Sequence, residues 1–184
     1  KTPYFTKSIS LNELEDYISE GWEEVSTSTY KAKVQKLKPA GVRFEDDIWC
    51  MFYNLGFRNL NYDEKLEIPY GDTPGDKHQL DVVAVGDEAI FVVECKATEN
   101  MRVASFKKDI AEMCLYKDGV MKALRQIYGQ DKKIKFIFAT RNYIFPEGSE
   151  DEIRLADNKI FQFTDNTYDY VNSLIKSYRS TVVY

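Results

Sequence analysis

The stretch that decides the fold is LDVVAVGDEAIFVVECK, residues 80–96. Two short apolar runs rich in β-branched residues, 80–85 and 89–96, flank the turn sequence Gly86-Asp87-Glu88. This pattern predicts a hairpin of two buried strands. The second run ends in the charged residues Glu94 and Lys96, although charged side chains are rare in buried strands.

If the turn closes around Asp87 and Glu88, cross-strand pairing sets Asp81 opposite Glu94. Side chains alternate along a strand, so Glu94 and Lys96 share one face. Two carboxylates, with the backbone carbonyl of Cys95 as a third oxygen, suit Mg²⁺ with Mn²⁺ as a substitute. Lys96 could orient or deprotonate a water, or neutralise charge that develops on a phosphate. The structural alternative is that Asp81 caps a strand and Glu94 pairs with Lys96 at a solvated sheet end.

A helix is predicted from about residue 44 to residue 55, because Phe44, Ile48, Phe52 and Leu55 form one apolar stripe. Glu45 then lies in the first turn, where it can act as an outer or water-mediated metal ligand. It can equally be a partner of the helix dipole. His78 is the only histidine in the sequence and precedes the hairpin. We expect its side chain to be solvated, to form hydrogen bonds with nearby residues or to contact a substrate phosphate.

A second, longer helix is predicted from about residue 103 to residue 128, followed by core strands at 135–139 and 160–163 and a closing helix at 168–178. The net charge of −5 excludes a protein that coats nucleic acid by bulk positive potential. Segment 101–141, however, holds ten Lys and Arg against four Asp and Glu. A solvated helix face gives the same count, but the segment is a candidate nucleic-acid contact through Lys107, Lys108, Lys117, Lys122 and Arg125.

The length of 184 residues and the hydrophobic content of 43% fit one main domain. We expect residues 1–40 to form an N-terminal helix and strand appendage and residues 41–184 to form an α/β domain. No apolar run approaches the roughly 18 residues that a membrane span needs. The three cysteines are widely spaced, which predicts free thiols in a reducing, cytoplasmic setting. Because the chain begins at Lys1, we expect a fragment of a longer protein.

Three separate elements resemble the PD-(D/E)XK superfamily of restriction-endonuclease-like nucleases. They are Phe44-Glu45 with its apolar helix, residues 79–84 around Asp81, and Val92-Val93-Glu94-Cys95-Lys96. Their order is similar to the Mrr-like and Holliday-junction-resolvase-like branches, in which a helix glutamate, a strand aspartate and an E-x-K pair share a metal site. Leu80 stands where the superfamily name has proline. The glutamine often found after the E-x-K strand in Mrr-like enzymes is also missing, because no glutamine occurs between Lys96 and Gln126.

The resemblance implies a central mixed sheet flanked by helices and Mg²⁺-dependent cleavage of DNA by Glu45, Asp81, Glu94 and Lys96. The Gly21-Trp22-Glu23 element also resembles the nuclease module found beside DndB-like (DGQHR) domains in bacterial defence proteins. We therefore expect a DNA endonuclease of restriction or phage defence that is targeted by a further domain or partner. RNA as substrate and a homodimer stay open. The alternatives are a non-cleaving nucleic-acid-binding or assembly module of the same fold, and an unrelated α/β domain with a structural ion pair.

Overall fold

The computed structural model describes residues 1–61, 66–71, 73, 75–146 and 148–178. Within them the strands are β1 (Tyr4–Ser10), β2 (Glu23–Thr27), β3 (Lys31–Leu37), β4 (Asn59–Leu60), β5 (Glu67–Pro69), β6 (Lys77–Gln79), β7 (Val82–Val85), β8 (Ala89–Val103), β9 (Lys133–Ile144) and β10 (Ile160–Phe163). The helices are α1 (Leu14–Ser19), α2 (Ala40–Asn54), α3 (Lys107–Tyr128), α4 (Glu150–Asp157) and α5 (Tyr168–Ser177).

The main sheet has five strands in the order β10-β9-β8-β7-β4 and is mixed. Strands β8, β9 and β10 are parallel to one another, whereas β7 runs antiparallel to both β8 and β4. One face packs against α3 and α4 through a buried cluster that includes Val92, Ile110 and Leu155. The other face packs against α2 and α5. The predicted α/β architecture, a central mixed sheet flanked by helices, is confirmed.

The predicted hairpin is present as β7 and β8, joined at residues 86–88. Two helix boundaries were wrong. Helix α2 begins at Ala40 rather than near Phe44, and α3 begins at Lys107 because Val103 belongs to β8, where it pairs with Ile144.

The first 37 residues form a second, three-stranded antiparallel sheet in the order β1-β3-β2. It has a small core of its own in which Ile9, Ala32 and Val34 are buried. Lys38 joins this sheet to α2, because its Nζ lies 2.5 Å from Oδ2 of the buried Asp46. The division of the chain at residue 40 stays a prediction. No helix of the described residues has the length and apolar content to cross a membrane.

Gly119 lets the backbone of Tyr70 lie directly against α3. A Cβ atom built at Gly119 would stand 1.8 Å from the carbonyl oxygen of Tyr70, which is closer than atoms can approach. The contact positions β5, and with it β6 and His78, over the helix.

We expect Gly119→Ala to lower the free energy of unfolding by about 1–3 kcal/mol, because backbone must move to admit the methyl group. The matched control is Gly41→Ala, also within a helix, where a Cβ meets nothing within 4 Å. That variant should be unchanged or more stable by up to about 1 kcal/mol. Urea denaturation checks both, and equal stability of the two variants would contradict the close approach.

Asp151 of α4 fixes the start of α3. Its buried Oδ2 accepts hydrogen bonds from the Phe106 amide at 2.7 Å and the Ser105 hydroxyl at 2.8 Å.

We expect Asp151→Ala to lower the free energy of unfolding by about 1–3 kcal/mol, since the Phe106 amide is left buried without its acceptor. The exposed neighbour Glu152→Ala is the control. Thermal unfolding that is the same for both variants would rule out this capping role.

Candidate active site

The strand register brings Asp81 and Glu94 together where β7 begins, although β8 and β9 continue past this point, which we call the sheet end. Val82 pairs with Val93, so the next step of the register sets Asp81 opposite Glu94. Oδ2 of Asp81 accepts a 2.7 Å hydrogen bond from the amide of Cys95. The juxtaposition predicted from the sequence is therefore present in the structure.

Glu94 is the most heavily contacted carboxylate of this group. Its side chain is 12% exposed, and its Oε1 lies 3.0 Å from Nζ of Lys96. On the other oxygen, Oε2, it accepts a hydrogen bond from the Tyr116 hydroxyl at 3.3 Å. Nε2 of His78 lies 3.6 Å from the same oxygen. Glu94 is thus contacted by β8, β6 and α3 at once.

Lys96 bridges two carboxylates, because its Nζ also lies 3.1 Å from Oδ1 of Asp109 in the first turn of α3. Burial lowers the pKa of Lys96, but the carboxylates of Glu94 and Asp109 outweigh burial and raise it above its ordinary value. Lys96 is therefore an ammonium ion at this sheet end.

The two paired carboxylates differ in acidity. Burial and the charge of Glu94 raise the pKa of Asp81 to about 7, although the Cys95 amide partly opposes this. Burial also raises the pKa of Glu94, but His78 and Lys96 more than offset it and the pKa of Glu94 falls below its ordinary value. Two carboxylates that repel one another in a poorly solvated place are the donor set that a divalent cation satisfies. Asp81, Glu94 and the Cys95 carbonyl therefore fit Mg²⁺ or Mn²⁺ by their chemistry.

Glu45 lies on α2, which packs on the opposite face of the sheet from α3. It lies in the second turn of α2, because the helix begins four residues earlier than the sequence pattern indicated. The helix-dipole explanation for its position therefore loses its basis, since that effect is confined to the first turn. The charge of Glu45 raises the pKa values of Asp81 and of Cys95, so it acts on this same sheet end. In the described part of the chain, no three His, Cys, Asp or Glu side chains form a metal-holding cluster. Glu45 thus acts on the Asp81–Glu94 pair through its charge.

The sequence pattern does not mark Tyr116 and Asp109 as site residues, and for His78 it predicts only local hydrogen bonding or contact with a substrate phosphate. Tyr116 is 2% exposed, and its ring stacks on that of His78 with centroids 3.7 Å apart and planes 22° apart. Its place in an apolar helical stripe concealed its hydroxyl group. The signal that could have found it is the seven-residue spacing from Asp109, which puts both side chains on one face of α3.

The five basic residues predicted to contact nucleic acid lie on α3 in different settings. Lys107 pairs with Glu150 at 3.0 Å, and Lys117 donates to the Asn158 carbonyl at 2.6 Å. Arg125 is half-buried, whereas Lys108 and Lys122 are exposed. Lys108 directly precedes Asp109, which contacts Lys96. Nucleic-acid contact by these residues stays a prediction.

Several solved structures resemble this chain in overall fold. Can2 from Sulfobacillus thermosulfidooxidans, in complex with cyclic tetra-adenylate, matches with 17% identity and a TM-score of 0.46 over 75% of this chain and 36% of its own. AF1548, a protein of unknown function, matches with 15% identity and a TM-score of 0.45 over 67% and 58%. VC1899 from Vibrio cholerae matches with 14% identity and a TM-score of 0.45 over 91% and 42%. The chain therefore spans between 36% and 58% of the length of these proteins. A comparison with curated proteins gives no match.

Residues 34–175 match the nuclease-related domain family, and this segment contains every candidate site residue. The match confirms the resemblance to PD-(D/E)XK nucleases at the level of the superfamily. The finer resemblances, to the Mrr-like and resolvase-like branches and to the DndB-associated module, stay predictions. The chain belongs to the nuclease-related domain family.

Proposed function

We propose that this chain is a metal-dependent nuclease domain that hydrolyses phosphodiester bonds in DNA. The observation that carries the proposal is the meeting of Asp81, Glu94 and Lys96 at the point along β8 where its buried part ends. The family assignment supports a nuclease-like domain. Catalytic activity, a bound divalent metal and DNA as the substrate are the parts of this proposal that go beyond the family assignment.

Asp81, Glu94 and the carbonyl of Cys95 would hold Mg²⁺, or Mn²⁺ in its place, with Glu45 as an outer, water-mediated ligand. When bound, such a cation polarises the phosphodiester and lowers the pKa of an attacking water. Lys96, as an ammonium ion between Glu94 and Asp109, would stabilise negative charge that builds up on the phosphate. Tyr116 and His78 contact Glu94 and would fix its orientation.

A structural ion pair in a non-catalytic domain is the main rival. Two observations favour the active site over it. Burial and the charge of Glu94 raise the pKa of Asp81, which indicates that ionised Asp81 opposes folding at neutral pH. Glu94 also receives contacts from three elements, although a stabilising pair needs only one partner.

A non-cleaving module that retained the fold is the second rival. It gives no physical reason to keep two carboxylates and a lysine together in a poorly solvated position. Loss of cleavage in an otherwise metal-binding, nucleic-acid-binding protein would favour it.

We also propose the cellular setting. The free cysteines Cys50, Cys95 and Cys114 support a reducing cytoplasm. Bacterial restriction or anti-phage defence is the role that the predicted resemblance favours. Because the basic residues of α3 offer phosphate contacts without base readout, targeting would need a further domain or partner, or a second copy of the chain. RNA is the alternative substrate, and it would be distinguished by the same cleavage assay.

Divalent metal should bind at Asp81 and Glu94, because a cation relieves the repulsion between them. Isothermal titration with Mn²⁺ should show saturable uptake by the wild-type protein and loss of this uptake in the Asp81→Ala/Glu94→Ala variant. Asp118→Ala, an exposed acid on α3, is the control and should bind as the wild type does. Equal uptake by all three proteins would exclude the proposed site.

Lys96→Ala should abolish plasmid cleavage in Mg²⁺ or Mn²⁺ while leaving the fold and the DNA affinity nearly unchanged, because Lys96 acts on charge that develops in the transition state. Removal of one such group costs about 10²–10³ in rate. Lys176→Ala, an exposed lysine on α5, should cleave normally. Unfolding of Lys96→Ala would instead favour the structural ion pair. Retained cleavage would remove Lys96 from the catalytic set.

A further inference from the structure

Strands β8 and β9 continue past the sheet end through a bulge. Ala97 pairs with Arg141, and the register resumes with Arg102 opposite Tyr143. Five residue steps along β8, from 97 to 102, therefore oppose two steps along β9, from 141 to 143. The extra residues of β8 leave the ladder as a bulge. The bulge brings Arg102 closer to the candidate active site than its place in the sequence indicates.

Asn142 of β9 holds the bulge in place. Its backbone lies in the left-handed region, with a φ of 60°, which asparagine adopts more readily than most other residues. Its side-chain amide donates to the carbonyl of Thr98 at 2.8 Å and to that of Glu99 at 3.2 Å. Bulges beside active sites commonly redirect a side chain. The side chain that follows this bulge is Arg102.

Arg102 is held by Tyr143. The guanidinium carbon lies 4.9 Å from the centroid of the Tyr143 ring, and Nη2 donates to the Tyr143 hydroxyl at 2.6 Å. The Tyr143 ring in turn packs edge-on against the buried Phe106, with centroids 4.9 Å apart. Tyr143 contacts one face of the guanidinium and accepts one hydrogen bond from it, while the Arg102 side chain is exposed. The guanidinium is therefore oriented and still has N–H groups to donate.

The charge of Arg102 is not neutralised by a described carboxylate. Three other basic side chains around the sheet end are each paired: Arg43 with Glu99, Arg141 with Asp47 and Lys107 with Glu150. In the part of the chain that the structure describes, no carboxylate forms an ion pair with Arg102, whose contacts are with Tyr143. Its sequence neighbours Met101 and Val103 are exposed apolar residues. Arg102 thus presents an oriented positive charge to solvent.

Arg102 and Lys96 flank the beginning of α3. Tyr143, which carries Arg102, packs against Phe106 directly before the helix, and Lys96 pairs with Asp109 in its first turn. Their partners on β9 are three residues apart, which corresponds to about 10 Å along the strand. Each strand of duplex DNA carries one phosphate per about 3.4 Å of helix axis. A strand cleaved beside Lys96 therefore has a second phosphate, about three nucleotides away, at the distance of Arg102.

We propose that Arg102, oriented by Tyr143, binds a backbone phosphate of the substrate strand, about three nucleotides from the phosphate that is cleaved. This inference rests on the proposed nuclease function and specifies its substrate as a polynucleotide that extends past the cleaved bond toward Arg102. The guanidinium fork matches phosphate oxygens, and its fixed orientation reduces the freedom lost on binding. A local contact of this kind lets a chain with a net charge of −5 bind a polyanion.

The test measures binding without cleavage, in EDTA, by fluorescence anisotropy with a labelled DNA duplex over a range of salt concentrations. Arg102→Ala should weaken binding by about 3- to 10-fold at low salt. It should also reduce the slope of log affinity against log salt by about 0.9, because one phosphate contact is lost. Arg102→Lys should retain the slope and lose part of the affinity. Tyr143→Phe keeps the ring but removes the hydroxyl that accepts from Arg102, so it should cause a smaller loss of affinity than Arg102→Ala.

Arg58→Ala is the matched control. Arg58 is also exposed, and its guanidinium carbon lies 4.6 Å from the ring centroid of Tyr53. It precedes Asn59, which pairs with Val85 at the end of β7 that lies away from Asp81. Loss of the same charge at this distant place should leave the affinity and the salt slope nearly unchanged.

A small substrate separates a phosphate contact from an effect on the chemistry. Bis(p-nitrophenyl) phosphate is a diester with a single phosphate, so it cannot reach Arg102 while it is cleaved beside Lys96. In Mn²⁺, Arg102→Ala should raise the KM for DNA and leave hydrolysis of the small diester unchanged.

Equal affinity and equal salt slope of Arg102→Ala and wild type would overturn the proposal and would leave Arg102 and Tyr143 as a pair that supports the strand extension. The same losses in Arg58→Ala, or no binding of the duplex by wild type, would overturn it too. The two proposals fail separately. Binding that depends on Arg102 without cleavage in metal would refute the nuclease alone, whereas DNA cleavage with a KM independent of Arg102 would refute the phosphate contact alone.

Discussion

The structure depends on the burial of β8 on both of its faces. Ile90 and Val92 point into the core under α3, whereas Phe91, Val93 and Cys95 point into the core under α2 and α5. A strand enclosed in this way can hold charge only where the two cores end. Glu94 and Lys96 stand at that limit, with exposed residues from Glu99 onward. The extent of the two cores along β8 thus determines how far the site residues are buried as well as where they lie.

Strand alternation also decides which layer supplies the neighbours of each site residue. Glu94 and Lys96 continue the side of Ile90 and Val92, so their contacts come from α3, through Tyr116 and Asp109. Cys95 points the other way, toward the layer of α2 that carries Glu45. The sheet end consequently lies between the layer of α3 and the layer of α2. A substrate there can be contacted by α3 from one side and by α2 from the other.

The elements that local pattern determines were predictable from the sequence, and those set by distant contacts were not. The turn at residues 86–88 and the apolar runs beside it fix the hairpin register and hence the Asp81–Glu94 pair. The start of α3 depends on Asp151, which lies 45 residues further along the chain, so no local signal marks it. The start of α2 was obscured by the acidic run at residues 45–47, which imitates a first turn, while Gly41 is a poor helix former. The ring of Tyr116 is part of the core, so its position in the sequence pattern matches that of an apolar core residue. Only its hydroxyl group contacts Glu94.

Helix α2 connects the core of the protein to the candidate active site. Its buried face anchors the helix to the sheet through Phe44, Ile48 and Phe52, which makes the opposite face rigid. Asn61 adds a second restraint by tying Trp49 to the Asp81 backbone. The helix that carries Glu45 is therefore held relative to the Asp81 backbone at a second point besides its buried face, so the sheet and α2 together position the candidate site.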